Sequence, residues 1–221
     1  MSRSCRFIYL SFYPKRSAVT TQPKKSRRNR PSPRNRLLAS ATKLFNTEGI
    51  RVIGIDRILR EADVAKASLY SLFGSKDALV IAYVESLDEQ YRAQWAERTE
   101  GLDADEKVLA FFDKAIDDEP REEFRGSHFL NAAGEYPRPE TDSERAIVEA
   151  CKVHRQWKHN TLNELLTSRN GYPSEEQARQ VQILLDGGMA GARLQRDVEP
   201  LRTARDMAAA MLSDPPADYS I

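Results

Sequence analysis

Apolar residues recur along most of this chain at intervals of three and four, the spacing that places them on one face of a helix. From Arg36 to Phe45 the stripe is Leu37, Leu38, Ala41, Leu44 and Phe45, and Gly49 stops it. A short second helix is predicted between Gly54 and Ala62, with Ile55, Ile58 and Leu59 facing inward. Asp63 and Val64 make a tight connection to a third, from Ala65 to about Leu72. It turns Leu69 and Phe73 to the core and leaves Lys66, Ala67, Ser68, Tyr70 and Ser71 on other faces. After Gly74, Ser75 is a good N-cap, and Asp77 in the first turn complements the positive helix end. The helix it starts is long, with a buried stripe of Leu79, Tyr83, Val84, Leu87, Tyr91 and Trp95.

The second half repeats the pattern of capped amphipathic helices. Asp103 precedes Val108, Leu109, Phe112 and Ile116; Pro120 is expected to open a short turn of helix; Ser127 precedes Phe129, Leu130 and Ala133. Thr141 and Glu144 form a capping box for a long helix through Ile147, Cys151, His154, Trp157, Thr161, Leu162 and Leu165, which Asn170, Gly171 and Pro173 end. Ser174 and Gln177 are expected to form another, leading through Val181, Leu184, Leu185, Gly188 and Ala192. Pro200 opens a last helix through Ala204, Met207, Ala208 and Met211. No segment alternates apolar and polar residues long enough to suggest a sheet, so the fold expected is all-α.

Composition changes this picture mainly at the N-terminus. The chain has 221 residues, 40% of them hydrophobic, enough for one large or two modest domains. Its net charge of +1 averages two unlike regions: twelve Lys and Arg lie at or before Lys43, and the first acidic residue is Glu48. Beyond Lys43 the chain holds 22 basic against 33 acidic side chains. Residues 1–30 are polar and basic, and Pro14, Pro23, Pro31 and Pro33 break any helix, so a disordered arm is expected. Such an arm suits a polyanionic partner, or is a solvated tail. Two cysteines, Cys5 and Cys151, build neither a disulfide framework nor a metal cluster. No apolar run approaches the roughly 20 residues that span a bilayer. The segment from Phe7 to Tyr13 is short for a signal peptide and runs into Pro14, Lys15 and Arg16, and the Arg- and Ser-rich start also has transit-peptide character. An extended start is the plainer explanation, and a cytoplasmic location is expected.

Two short helices joined by a tight turn, the second presenting small and polar residues outward, have the shape a DNA major groove accepts. Short side chains at Ala65, Ala67 and Ser68 let such a helix seat deeply. Tyr70 and Ser71 can donate to phosphates, Lys66 offers a compact cation, and Lys76 adds charge at the start of the next helix. The run GIDRILREADVAKASLYSLFGSKDAL, with LLASATKLFNTEGI before it, resembles the N-terminal domain of the tetracycline-repressor (TetR/AcrR) family over about sixty residues. The matching series is Leu44, Phe45 and Gly49 followed by Leu69, Tyr70, Phe73, Ser75, Lys76 and Leu79. Departures are Ile53 and Gly54 in place of Thr and a hydroxyl cap, Asp63 in place of the usual turn glycine, Ala65 for serine and Leu72 for histidine.

The resemblance implies a helix-turn-helix domain over residues 31–91, with the motif at about 54–73, and a helical effector-binding and dimerisation domain over residues 100–213. It makes Ala65–Leu72 the recognition helix and Tyr70 and Lys76 phosphate contacts, while Ile55, Ile58, Val64 and Leu69 hold the two helices together. Residues 31–91 carry eight basic and eight acidic side chains, so much of the electrostatic attraction is expected from the arm, through Lys24, Lys25, Arg27, Arg28 and Arg30. The candidate DNA contacts are therefore Lys66, Ala67, Ser68, Tyr70, Ser71, Lys76, Arg28 and Arg30.

The family likeness also implies a small-molecule effector, a homodimer and a palindromic operator in double-stranded DNA, with repression as the expected output. Phe112, Phe129, His154 and Trp157 are the candidate effector contacts, with Phe111 and Tyr136 in the same aromatic population; simple core packing is the alternative for each. His154 is either a ligand-orienting donor or a satisfied core histidine. His128 and His159 complete no metal site, and no cofactor is expected. The small residues Gly187, Gly188, Ala190, Gly191 and Ala192 imply close helix approach, assigned to the dimer contact, with packing inside one subunit as the alternative. No phosphate-cradling loop, nucleophile elbow or metal cluster points to an enzyme. A helical adaptor that never touches DNA is the remaining alternative.

Overall fold

The computed structural model describes residues 30–213, so Arg28 and the rest of residues 1–29 lie outside the described part. The described residues form nine helices: α1 Pro33–Glu48, α2 Ile55–Ala62, α3 Lys66–Phe73, α4 Lys76–Arg98, α5 Ala104–Arg121, α6 His128–Gly134, α7 Asp142–Asn170, α8 Glu175–Gln195 and α9 Glu199–Ser213. Among them no helix is long and apolar enough to cross a membrane.

Two apolar cores organise these helices, and two long helices run through both. The first core buries Leu37, Leu44 and Phe45 of α1, Ile58 and Leu59 of α2, Leu69 of α3 and Leu79 to Val84 of α4. It also takes Phe129 and Ala132 of α6 and Ile147 and Cys151 of α7. The second collects Val108, Phe111 and Phe112 of α5, Leu162 and Leu166 of α7, Val181 and Leu185 of α8, and Leu201 and Ala208 of α9. Each fully buried Leu or Phe contributes about 1.5–3 kcal/mol of apolar transfer, so the helix-turn-helix segment draws much of its stability from α6 and α7. The sequence division between residues 31–91 and 100–213 follows the motifs, whereas side-chain packing crosses it.

Local signals behave as expected at most helix starts. Ser32 accepts from Asn35 N at 3.2 Å, Ser75 from Ala78 N at 3.0 Å and Ser127 from Leu130 N at 3.3 Å. Asp103 and Glu106 form a complete capping box. Three expectations are corrected. Pro120 does not open a new element: it lies exposed within the last turn of α5, where its fixed φ fits the helix. The capping box of Ser174 and Gln177 is absent, because Asn170 Nδ2 donates to both of their side chains at 2.9 Å. In the Thr141 box only one half forms; Thr141 Oγ1 accepts from Glu144 N, while the Glu144 carboxylate turns to Glu140 N.

A further refinement concerns the small residues of α8. A Cβ on Gly188 would lie 3.0 Å from Ala204 Cβ and 3.2 Å from Leu201 Cα, and one on Gly191 would lie 2.7 Å from Pro200 Cβ. These two glycines let α9 close on α8 within one subunit, the packing alternative for their small size. Gly187 meets nothing within 4 Å. Gly187→Ala should therefore gain up to about 1 kcal/mol in helix propensity, whereas Gly191→Ala should lose stability because overpacking costs about 1–3 kcal/mol. Urea unfolding of the two variants measures the contrast, and equal midpoints would contradict it.

Candidate DNA-binding face and effector cavity

Helices α2 and α3 are joined by Asp63, Val64 and Ala65. Asp63 takes a left-handed φ of 49°, the conformation glycine ordinarily supplies there, and its N–H bonds back to the end of α2. One guanidinium secures the turn from α1: Arg36 Nη1 donates to Ala62 O at 2.9 Å and to Asp63 O at 2.8 Å. Gly54 caps α2 without a side-chain bond, as its lack of a hydroxyl requires. Leu69 is fully buried beneath α3, which fixes the opposite face outward.

On that outward face Lys66, Ala67, Tyr70 and Ser71 are exposed and Ser68 is half-buried. Tyr70, 46% exposed, presents its ring and hydroxyl to solvent. Lys66 Nζ lies 3.5 Å from Asp56, an ion pair between two exposed side chains that a phosphate can replace at little cost. Lys76 is placed differently from the others. Its Nζ donates to Ile50 O at 2.7 Å, and burial lowers its pKa from the ordinary lysine value. The α3 residues therefore form one surface, while Lys76 sits behind it tied to the loop between α1 and α2. Arg34, which sequence reasoning passed over, extends this surface with its guanidinium 5.2 Å from the Phe73 ring centre. Its signal is the i to i+39 apposition of α1 and α3, invisible to local pattern.

The loop between α1 and α2 is gripped from the other half of the chain. Glu135, at the end of α6, accepts from Ile50 N at 2.7 Å and Arg51 N at 2.6 Å. Arg51 in turn reaches Glu144 at 2.8 Å and lies over the Tyr136 ring at 4.8 Å. Gly49 is required twice over: its φ is 103°, and an added Cβ would come 2.9 Å from Glu135 Oε1. Nearby, Tyr83 OH donates to Asn46 Oδ1 at 2.6 Å and Arg125 Nε donates to Asn46 O at 2.9 Å.

A cavity of about 240 Å³ lies between α4, α5, α6, α7 and α8 and reaches Thr42 and Asn46 of α1. Its apolar walls include Tyr91, Phe111, Phe129, Leu185 and Met189. Of the four candidate effector contacts, Phe129 and His154 line it. Phe112 is corrected: it is fully buried in the second core, and its neighbour Phe111 faces the cavity instead. The change follows from the roughly 100° that separates consecutive helix positions. Trp157 stands behind the lining, edge-on to Tyr91, Trp95 and Phe111 at 5.8 to 6.1 Å, with Arg92 over its ring.

The polar lining is mostly paired. Lys114 Nζ donates to Gln94 at 2.8 Å and to Asp118 at 2.6 Å. Glu119 accepts from Gly126 N, yet burial still pushes its pKa above the carboxylate norm. His128 Nε2 lies 2.9 Å from Glu122. His154 stacks on Phe129 at 3.6 Å, and its Nδ1 meets Asp88 at 2.7 Å. Burial opposes ionisation of Asp88, but hydrogen bonds from Arg92 and His154 outweigh it and hold its pKa below normal. An ionised Asp88 places the ring proton on Nδ1. Burial, reinforced by the charge of Lys158, drives His154 down from 6.5 to about 3.

That depression has a linkage consequence. Because the folded state binds fewer protons than the unfolded chain between about pH 3 and 6.5, the contribution of His154 is complete above 6.5 and is lost as pH falls through that window. One proton corresponds to at most about 1.4 kcal/mol per pH unit. His154→Phe should flatten the stability profile between pH 6 and 4 relative to the parent chain, read by urea unfolding at each pH; parallel profiles would refute the assignment.

A helix-turn-helix with an exposed, seated recognition helix defines this chain as a DNA-binding protein of the transcriptional-regulator class, and similar proteins place it more closely. The sequence profile "Bacterial regulatory proteins, tetR family" matches residues 37–83. The crystal structure of SCO4454, a TetR-family transcriptional regulator from Streptomyces coelicolor, is 36% identical and superposes with a TM-score of 0.71 over 82% of this chain and 96% of that one. An uncharacterized HTH-type transcriptional regulator of Mycobacterium tuberculosis is 27% identical over 76% of this chain and 88% of its own length. The reduced form of Escherichia coli NemR, 22% identical, shares the fold with a TM-score of 0.70 over 84% of this chain and 100% of that one. The chain belongs to the TetR family of transcriptional regulators.

Proposed function

We propose that this protein is a homodimeric repressor that reads a palindromic operator through α3 and is released by a small molecule bound in the cavity. The observation that carries the reading is the double engagement of α6. Phe129 near its start lines the cavity, and Glu135 at its end holds the loop that orients α2 and α3. A ligand that displaces α6 acts on the helix-turn-helix without touching it. Only differential affinity for the two arrangements shifts the equilibrium, so the effector must bind the released arrangement more tightly.

Lys66, Ala67, Ser68, Tyr70 and Ser71 meet DNA in this reading, short side chains toward base edges and Tyr70 toward phosphate. Lys76 supports phosphate binding through its electrostatic field while keeping its bond to Ile50. The basic residues before Pro31, Arg28 and Arg30 among them, supply sequence-independent attraction.

The second subunit is proposed to cover the outer face of α8 and α9. Ile183 is 57% exposed, Leu194 86% and Met207 53%, and Gly187 opens onto the same groove as Ile183 and Met207. Isolated exposed apolar side chains are ordinary, but Ile183 and Met207 line one groove between two packed helices, which suits an isologous interface. Selection from random duplex DNA should return an inverted repeat with half-sites about 34–36 Å apart. Ile183→Glu with Met207→Glu should sediment as a monomer and lose at least tenfold in operator affinity. A monomeric parent chain, or selection of a single half-site, would contradict the proposal.

A further inference from the structure

Among the described polar groups of the cavity wall, two on α7 are left without hydrogen-bond partners. His154, 1% exposed, gives Nδ1 to Asp88 and keeps Nε2 buried and unpartnered. Lys158, 5% exposed, makes no side-chain hydrogen bond among the described residues: its Nζ lies 5.5 Å from the Tyr91 ring centre, burial lowers its pKa, and the charge of Asp186 works against that lowering. Both residues line the cavity, and their spacing of one helical turn puts them on the same face of α7. Leaving such groups unsatisfied in an interior is costly, which makes them stand out against the hydrogen-bonded Lys114 and Glu119.

The two groups ask for complementary things. With its proton on Nδ1, the imidazole offers Nε2 as an acceptor, and the ammonium is purely a donor. A ligand that satisfies both must donate and accept from neighbouring positions. A hydroxyl does this with a single oxygen. A carboxylate has no proton for Nε2, an amine brings no acceptor to Lys158, and an ether lacks the donor. A primary amide carries both functions but brings a second N–H and a wider head to the same two partners. Around this pair stand Tyr91, Phe111 and Phe129, whose rings favour a flat aromatic body by offset or edge-to-face packing.

We propose that the effector is an aromatic hydroxyl compound whose O–H donates to His154 Nε2 and whose oxygen accepts from Lys158 Nζ. This rests on the reading of the cavity as the effector site. The burial that keeps His154 neutral preserves the acceptor the hydroxyl needs. The nearby ammonium favours an acidic, phenolic oxygen over an aliphatic one by stabilising negative charge on it.

Two matched series test the class on the full chain by calorimetry: 1-naphthol, 1-methoxynaphthalene, 1-naphthoate and 1-naphthamide, and the corresponding 4-substituted biphenyls. In at least one series the hydroxyl compound should bind at least tenfold more tightly than its ether, carboxylate and amide. Lys158→Met and His154→Phe, checked for unchanged helicity, should each weaken that hydroxyl compound at least tenfold while the ether changes by less than twofold. If either variant fails to fold, the other carries the comparison, and the ranking in the parent chain stands by itself. A carboxylate or amide that binds tightest overturns the hydroxyl class and leaves the effector cavity in place. Hydroxyl binding indifferent to both substitutions overturns the proposed contacts. Failure of every compound in both series overturns the class and the aromatic-effector reading of the cavity with it.

Discussion

The Glu135 carboxylate ties the loop between α1 and α2 to the end of α6. Glu135 accepts the backbone N–H groups of Ile50 and Arg51, and the Gly49 backbone makes room for it. Both bonds run from backbone N–H groups to a carboxylate, the stronger class of hydrogen bond. The loop so held joins α1 to the pair α2 and α3. Lys76 closes the same loop from the start of α4, and Arg51 reaches on to Glu144 of α7. The loop that precedes α2 and α3 is thus held by groups far along the chain.

The cavity is the other place where polarity is concentrated inside the fold. Its aromatic walls and charged groups conflict energetically unless the charges are paired, and most are. Asp88 is the organising member: it gathers Arg92 and the His154 ring, and its ionisation decides which imidazole nitrogen is free to accept. The opening of this cavity onto Asn46 and Thr42 brings its contents within one side chain of α1. Asn46 is also where Tyr83 and Arg125 converge, so α1, α4 and the segment before α6 meet at one residue.

What the sequence revealed and what it hid have a common physical origin. Helix periodicity and caps are local, so the stripes of α1 to α4 and the outward set on α3 were legible, as were Phe129 and His154 on helices whose inner faces were marked. Which inner-face residue meets a cavity and which meets another helix is a tertiary matter; Phe111 and Phe112 differ only by one helical step, and the stripe alone does not say which of them lines the cavity. The α8 glycines showed that something approaches closely, but not whether the neighbour is α9 or a second subunit. The Glu135 clamp joins positions 84 and 85 residues apart, and no local pattern marks it. Pro120 misled for the opposite reason, since a strong local breaker was absorbed in a final helical turn.

The account stands most directly on the claim that Glu135 positions the DNA-reading helices. Operator affinity of Glu135→Ala, measured against the parent chain with helicity and oligomeric state shown to be unchanged, tests it. The account predicts binding weaker by at least tenfold, about 1.4 kcal/mol. Unchanged or tighter binding would contradict it.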